Sequence, residues 1–400
     1  MAYIIVVNPA ILAAAGLPTG PSTVATIAVA VIGSLLMGLY ANRPIAVAPY
    51  MGENAFIAFG LAALGISWQQ RLGAVFVSGV IFLVITLIGL RSWLADAISP
   101  SMKQSFAVGI GLFLAFIGLN EMGVVASSPV PGVPVKIGNL RSAEVLLGIA
   151  GFVVIMALMQ RRVRGAIIIG IALTAVAGIL LGYGHAPRGI VAMPPSLAPI
   201  ALKLDVLGVL KLSFLPILLT LFVMSFLDTL GTLVGVGAAA ELDDDLRKPM
   251  IVDAVACIVS GLVGTSTSGA YIESATGIRE GARTGLAAIT TAVLFAVSLF
   301  FIPLVEPLQQ LRFAYAPALV AVGVLMLGAI RRIDFDDLTE LAPAFVTITV
   351  MIFTYNIGNG LTAGLVLYPL MKLLAGRKPN AGSIVLALIC LSYYLFGLPH

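Results

Sequence analysis

Asp228 stands in MSFLDTLGT (Met224–Thr232), a run otherwise suited to hydrocarbon. A carboxylate is tolerated there when it faces the protein interior or a watery cavity. It therefore reads as a binding or proton-coupling group, with a structural hydrogen-bonding hub as the plainer alternative. Ser225, Thr229 and Thr232 bracket it and are placed to orient it. Glu273, in GAYIES (Gly269–Ser274), opens a second apolar stretch. It is either an acid complementing a helix N-terminus or a site group. A carboxylate accepts two N–H donors side by side, as the edge of a flat heterocycle presents them.

Glu53 and Asn54 lie together in APYMGENAF (Ala48–Phe56). Asn54 offers a donor and an acceptor, which suits an amide-bearing ring or a neighbouring carboxylate; helix packing is the other reading. Glu53 is equally a cavity-lining group or an intramembrane hydrogen-bond partner. Asn8-Pro9 breaks the first apolar run and should free carbonyls near its middle. Asn356 and Asn359 read as a turn, and Glu121 as the end of a helix.

Metal chemistry finds no footing. The acidic run Glu241–Asp245 lacks the spacing and closing glutamate of a calcium loop and reads as a solvated face. Cys257, Cys390, His185 and His400 are too few and too scattered for a thiolate cluster, zinc hydrolysis or haem ligation. No cofactor is expected. No Walker A pattern occurs, which excludes an ATP-powered pump within the chain.

The elements that carry these residues follow from composition. Of the 400 residues 60% are hydrophobic and 10% charged, with mean hydropathy +1.11. A soluble domain runs at about 45–50% apolar and about 25% charged, so most of this surface meets lipid. The net charge of +4 is too small and scattered for a nucleic-acid footprint. Apolar runs fall at 1–15, 22–41, 50–66, 72–90, 104–121, 142–159 and 163–183. A proline-bearing linker at 184–211 follows, suited to the interface. A second series covers 213–237, 249–262, 268–278, 284–302, 314–330, 341–356, 361–375 and 382–398. With the N-terminus inside, 15 of the 22 basic residues fall in inside loops and 7 outside, the sense expected when cations stay cytoplasmic. The run 382–398 is left over, as a half-span or as the partner of a re-entrant segment elsewhere.

The halves repeat. Gly65-Ile66 with Arg71 and Gly73 matches Gly277-Ile278 with Arg283 and Gly285, an offset of 212 (277 − 65). At that offset Gly52 falls on Gly264 and Phe59 on Tyr271. Seven spans per repeat put the second copy in inverted orientation, the build of secondary transporters. The fold class is therefore an all-α polytopic membrane protein of about 14 segments as a 7+7 inverted repeat, repeats 1–183 and 212–400. Segments three and ten are short and interrupted, the latter behind the Gly, Ser and Thr run 261–269 that contains Ser268. Unpaired backbone is tolerated at membrane depth only under protein or beside a cavity. Paired short segments are the best pointer to a substrate site.

The chain resembles the AzgA-like purine permeases of the nucleobase–cation symporter-2 group. The resemblance runs through MAYIIVVNPAIL (Met1–Leu12), GLYANRPIAVAP (Gly38–Pro49), FLDTLGTLVG (Phe226–Gly235), GTSTS (Gly264–Ser268), YIESA (Tyr271–Ala275) and GARTG (Gly281–Gly285). It implies uptake of adenine, guanine or hypoxanthine at the plasma membrane (the inner membrane of a bacterium), by proton symport with sodium as the other candidate cation. It further implies core and gate domains drawn from both repeats, extended strands in segments three and ten, and a homodimer. Glu273, Asp228 and Asn54, with Thr229 and Ser268, fall on substrate-binding positions; Asp228, Glu273 and Glu53 are the coupling candidates. Relatives carry more residues before Met1, so the first helix is expected to be truncated or the chain to start late. Relatives also carry a neutral residue where Glu53 stands. The other readings are a carrier of uracil, xanthine or a small anion on the same fold, a lipid-modifying membrane enzyme, and a channel.

Overall fold

The computed structural model describes residues 1–90, 93, 96–130, 133–187, 189–240 and 246–392. The acidic run 241–245 and His400 lie outside them. Each of the 15 apolar runs carries an element, and eight described helices are long and apolar enough to cross a membrane. The chain opens with α1 (Ile4–Ala14) and α2 (Thr19–Leu39). Pro9 sits inside α1 and supplies no N–H to the carbonyl of Ile5. That oxygen instead accepts from Nε2 of Gln309 at 2.8 Å, so the freed carbonyl expected from Asn8-Pro9 exists and is used.

Segment three begins extended, as β1 (Val47–Pro49), then turns into α3 (Met51–Ala55). It continues through a π-helical stretch, Phe56–Gly60, and ends with Leu61–Ala63. Next come α4 (Trp68–Leu87), α5 (Pro100–Glu121), α6 (Ala143–Gln160) and α7 (Ala166–Leu180). Between α5 and α6 the exposed hairpin β2 (Val125–Ser127) and β3 (Val135–Ile137) lies in a Gly- and Pro-rich loop whose sequence shows no strand alternation. The 184–211 linker holds one short helix, Val206–Val209, and is tied to α4 through Asp205 N–H on Gln69 O at 2.9 Å.

The second series starts with α8 (Leu215–Ala240) and α9 (Arg247–Val263). Gly264, at φ +97°, ends α9 in a left-handed conformation that a side chain would strain. Segment ten is β4 (Ser268–Ala270) followed by α10 (Ser274–Arg279), and α11 (Leu286–Ser298) comes next. The chain closes with α12 (Ile302–Gln310), α13 (Arg312–Met326), α14 (Leu338–Phe353), α15 (Ile357–Leu374) and α16 (Ala381–Ser392). The described part of the unplaced run 382–398 lies in α16, which packs on α15.

Helix contacts fall into two groups. One joins α1, α2, α4, α8, α9 and α11 to the two strands; the other joins α5, α6, α7, α13, α14 and α15. The repeated motif has the same local chemistry in both copies. Arg71 Nε donates to Ile66 O at 2.8 Å and Arg283 Nη1 to Ile278 O at 2.6 Å.

The pairing of Phe59 with Tyr271 is corrected. Tyr50 and Tyr271 each follow a strand directly, so the offset there is 221 (271 − 50); it is 212 at Gly65-Ile66, which follow segment three, and Gly277-Ile278, which lie within α10. The cause is unequal length: segment three winds on through the π stretch to Ala63, whereas α10 ends at Arg279. By the same count Gly52, in the first turn of α3, is not the counterpart of Gly264 at the end of α9.

Candidate functional site

The two interrupted segments meet. Strands β1 and β4 pair antiparallel, with Val47 opposite Ala270, Ala48 opposite Gly269 and Pro49 opposite Ser268. Tyr50 N–H on Thr267 O and Tyr271 N–H on Ala46 O, both 2.9 Å, extend the ladder. Backbone groups freed by breaking two helices are thus satisfied by each other, as burial demands. Each tyrosine reaches across to the other strand. Tyr271 donates its hydroxyl proton to Pro49 O at 2.5 Å, and the Tyr50 ring lies over Gly269, where a Cβ would sit 2.5 Å from Cζ. The rings are nearly parallel, 7° apart in plane, with centroids 6.4 Å apart.

Around this crossing polar groups converge on one turn of α8. Ser225 donates its hydroxyl proton to Glu53 Oε2 at 2.7 Å, and the Thr267 hydroxyl makes a short bond to the same oxygen. One turn on, Thr229 Oγ1 lies 2.9 Å from the Tyr50 hydroxyl. That hydroxyl also donates to Asp253 Oδ2 at 3.4 Å, and the same oxygen accepts Ala270 N–H at 2.9 Å. Asp228, half-buried between Ser225 and Thr229, bears electrostatically on Glu53, Tyr50 and Tyr271. Glu53, Asn54 and Asp253 are fully buried, and each keeps one oxygen without a partner: Oε1, Oδ1 and Oδ1. Among the described residues no basic side chain forms an ion pair with any of these carboxylates.

The remaining expected residues are distributed around this centre. Asn54 Nδ2 donates to Asn8 O at 3.3 Å. The Asn8 side chain is itself saturated by Thr26, Thr265 and Ser266. Glu273, half-buried at the start of α10, accepts from the Tyr3 hydroxyl at 3.0 Å and lies near Tyr271. The Ser268 hydroxyl is engaged on both sides, accepting from Ser260 at 2.8 Å and donating to Ser266 O at 3.2 Å. Glu121 ends α5 and accepts from Tyr315 at 3.2 Å, and Asn356 caps α15 by accepting Asn359 N–H at 3.3 Å. No group of three or more His, Cys, Asp or Glu is placed to hold a metal among the described residues.

Two site residues escaped the sequence reading. Asp253 lies soon after Arg247, Lys248 and Pro249 and passes for a boundary charge; the signal was that the helix runs ten residues beyond it (263 − 253). For Tyr50 no residue type or spacing marks the hydroxyl as a site group.

Two helices interrupted by strands that pair with each other, with unpaired acceptors gathered there, are the build found at the substrate sites of multi-pass membrane transporters. The fold agrees. It is similar to the transmembrane domain of a cyanobacterium bicarbonate transporter, BicA, at TM-score 0.68 and 18% identity over 91% of this chain and 95% of that one, a likeness of fold alone. The chain belongs to the Permease family (Xan_ur_permease), whose model matches residues 1–361, and with it to the nucleobase–cation symporter-2 group. Among its relatives the adenine permease AdeQ of Escherichia coli (strain K12) is 39% identical over 384 residues, 94% of this chain and 85% of its own length. The guanine/hypoxanthine permease PbuO of Bacillus subtilis (strain 168) is 37% identical over 404 residues, 98% of this chain and 93% of its own. The protein is a multi-pass protein of the plasma membrane.

Proposed function

We propose that this permease takes up purine nucleobases such as adenine, guanine and hypoxanthine by proton symport, binding the base beside the β1–β4 crossing. The observation that carries the reading is the set of buried, unpaired acceptor oxygens on Glu53, Asn54 and Asp253 around Tyr50. Buried acceptors without partners are costly. A ring bearing N–H groups supplies those partners, and a proton neutralises the excess of carboxylate. An anion substrate would call for basic residues here. The relatives named for adenine and for guanine/hypoxanthine support the choice of purines over uracil or xanthine.

In this mechanism Glu273 and Asp228 accept from ring or exocyclic N–H groups, while Asn54 and Thr229 complete the fit and Ser268 holds the strand. Glu53, Asp228 and Glu273 form the proton-coupling set. Loading with a neutral base and one proton lowers the negative charge of the cavity by one. The strand-bearing group of helices then rocks as a core against the α5/α13 group as a gate, and discharge inside resets the carrier. The architecture is taken as 7+7 spans in inverted repeats, embedded in lipid as a homodimer.

The test is uptake of radiolabelled adenine and hypoxanthine into proteoliposomes with and without an inward proton gradient. Gradient-dependent accumulation that Glu273→Gln abolishes is the expected result. Saturable uptake indifferent to protons, whether or not sodium drives it, would remove the proton coupling. No movement of either base would remove the substrate assignment.

A further inference from the structure

Helix α12 connects α11, which packs on α2, to α13, which packs on α5, α6 and α7. It lies on one of three covalent links between the two packing groups, the others running from α4 to α5 and from α7 to α8, and its own packing is mostly against α1. Only Leu311, with extended backbone at φ −92° and ψ 92°, separates α12 from α13. Beside the apolar packing of Ile302, Val305 and Leu308, one polar side chain ties α12 to its neighbours. Gln309 is buried, and its Nε2 donates to Ile5 O at 2.8 Å and to Thr23 Oγ1 at 2.9 Å. The Thr23 hydroxyl in turn donates to Thr19 O at 2.9 Å, so it is free to accept. The Ile5 carbonyl is available because Pro9 has no N–H. The broken first helix and the amide of Gln309 therefore answer one another across 304 residues.

We propose that Gln309 is a positioning residue for transport: it anchors α12 to the broken first helix, so that, along this one of the three links, motion between the two helix groups is confined to the joint at Leu311. With the anchor in place α12 travels with α1 and α2, and the α13 bundle swings from a fixed pivot. Without it α12 becomes a loose connector, and the swing spreads over the whole of 302–311. The reorientation step slows while the binding crossing, which Gln309 does not touch, keeps its geometry. This inference rests on the alternating-access reading above, and its first test does not.

That first test needs no substrate. Hydrogen exchange of the full chain in detergent is compared for the wild type and Gln309→Leu. Amides of 304–310 are expected to exchange at least tenfold faster in the variant, and those of 318–326 in α13 at an unchanged rate. Equal exchange in α12 overturns the anchor whatever the protein carries. The second test is adenine in proteoliposomes, with equilibrium binding measured beside turnover. Gln309→Leu is expected to lower turnover about tenfold with binding within twofold of wild type, whereas loss of both together overturns the positioning role. Pro9→Ala restores an N–H to Ile5 O and competes for the same oxygen. Pro9→Ala combined with Gln309→Leu should therefore be no slower than the worse single variant, and multiplicative losses refute the shared bond. If the wild type binds no adenine, the purine assignment fails and the exchange comparison still decides the anchor.

Discussion

Gly269→Ala tests whether the strand crossing depends on close approach. A Cβ at that position would lie 2.5 Å from Cζ and 2.8 Å from Cε2 of Tyr50, and closer still to its hydroxyl. The ring must move, because the other party is strand backbone held by the β1–β4 ladder. Overpacking of this kind costs about 1–3 kcal/mol. Displacing the hydroxyl also breaks its bonds to Thr229 and Asp253, each worth about 0.6 kcal/mol on average in a membrane interior. The sum is about 2–4 kcal/mol. The assay is equilibrium unfolding in mixed micelles followed by circular dichroism, as a cycle with Tyr50→Ala. In the Tyr50→Ala background the new methyl meets no ring, and its cost should drop below about 0.5 kcal/mol. In Tyr50→Phe the clash with the ring carbons persists and so should most of the cost. Equal costs of Gly269→Ala in the wild-type and Tyr50→Ala backgrounds would show that the ring is not what the glycine accommodates.

Other outcomes follow from single contacts. Glu53→Gln should abolish gradient-driven accumulation of adenine while counterflow exchange survives; accumulation that persists would remove Glu53 from the coupling set. Arg71→Met strips a buried guanidinium from Ile66 O and from Ala15 O at 3.1 Å and should cost about 2–4 kcal/mol. The exposed counterpart Arg283→Met should cost under about 1 kcal/mol in the same unfolding assay. Asp337 caps α14, and the hydroxyl and N–H of Thr339, with Arg377 and Lys372 beyond them, hold its carboxyl well below the ordinary range. A depressed carboxyl contributes stability that is complete above its unfolded value of about 3.9 and is lost as the pH falls further. Melting temperatures in detergent between pH 3 and 7 should therefore fall less steeply on the acid side in Asp337→Asn.

The sequence showed the helices because lipid leaves little freedom: long apolar runs separated by polar or basic loops have one use. Segments three and ten were legible for the complementary reason. Pro44, Pro49 and the run 261–269 are poor material for a lipid-facing helix, and the strands lie there. The fully buried pair Glu53 and Asn54 was found by asking which polar groups could not face lipid. The same question missed Asp253, since three polar or helix-starting residues just before it suggested the membrane boundary. Spacing misled in the repeat, because a π stretch adds length that no residue type announces. The hydroxyl of Ser268 was expected toward a ligand and is held by its neighbours. Which way a small side chain turns is settled by packing that composition does not encode.

The β1–β4 ladder also bears on how the chain is made. Val47–Pro49 leaves the ribosome more than 200 residues before its partner Ser268–Ala270 (268 − 47 = 221). Throughout that interval the first half would hold a broken helix with bare peptide groups inside the bilayer, a state that costs several kcal/mol per exposed group. Nascent chains stalled before Ser268 therefore have no finished third segment to hand to the lipid. They should remain with the translocation machinery or its membrane chaperones, and a half-length fragment should be degraded unless the other half is supplied in trans.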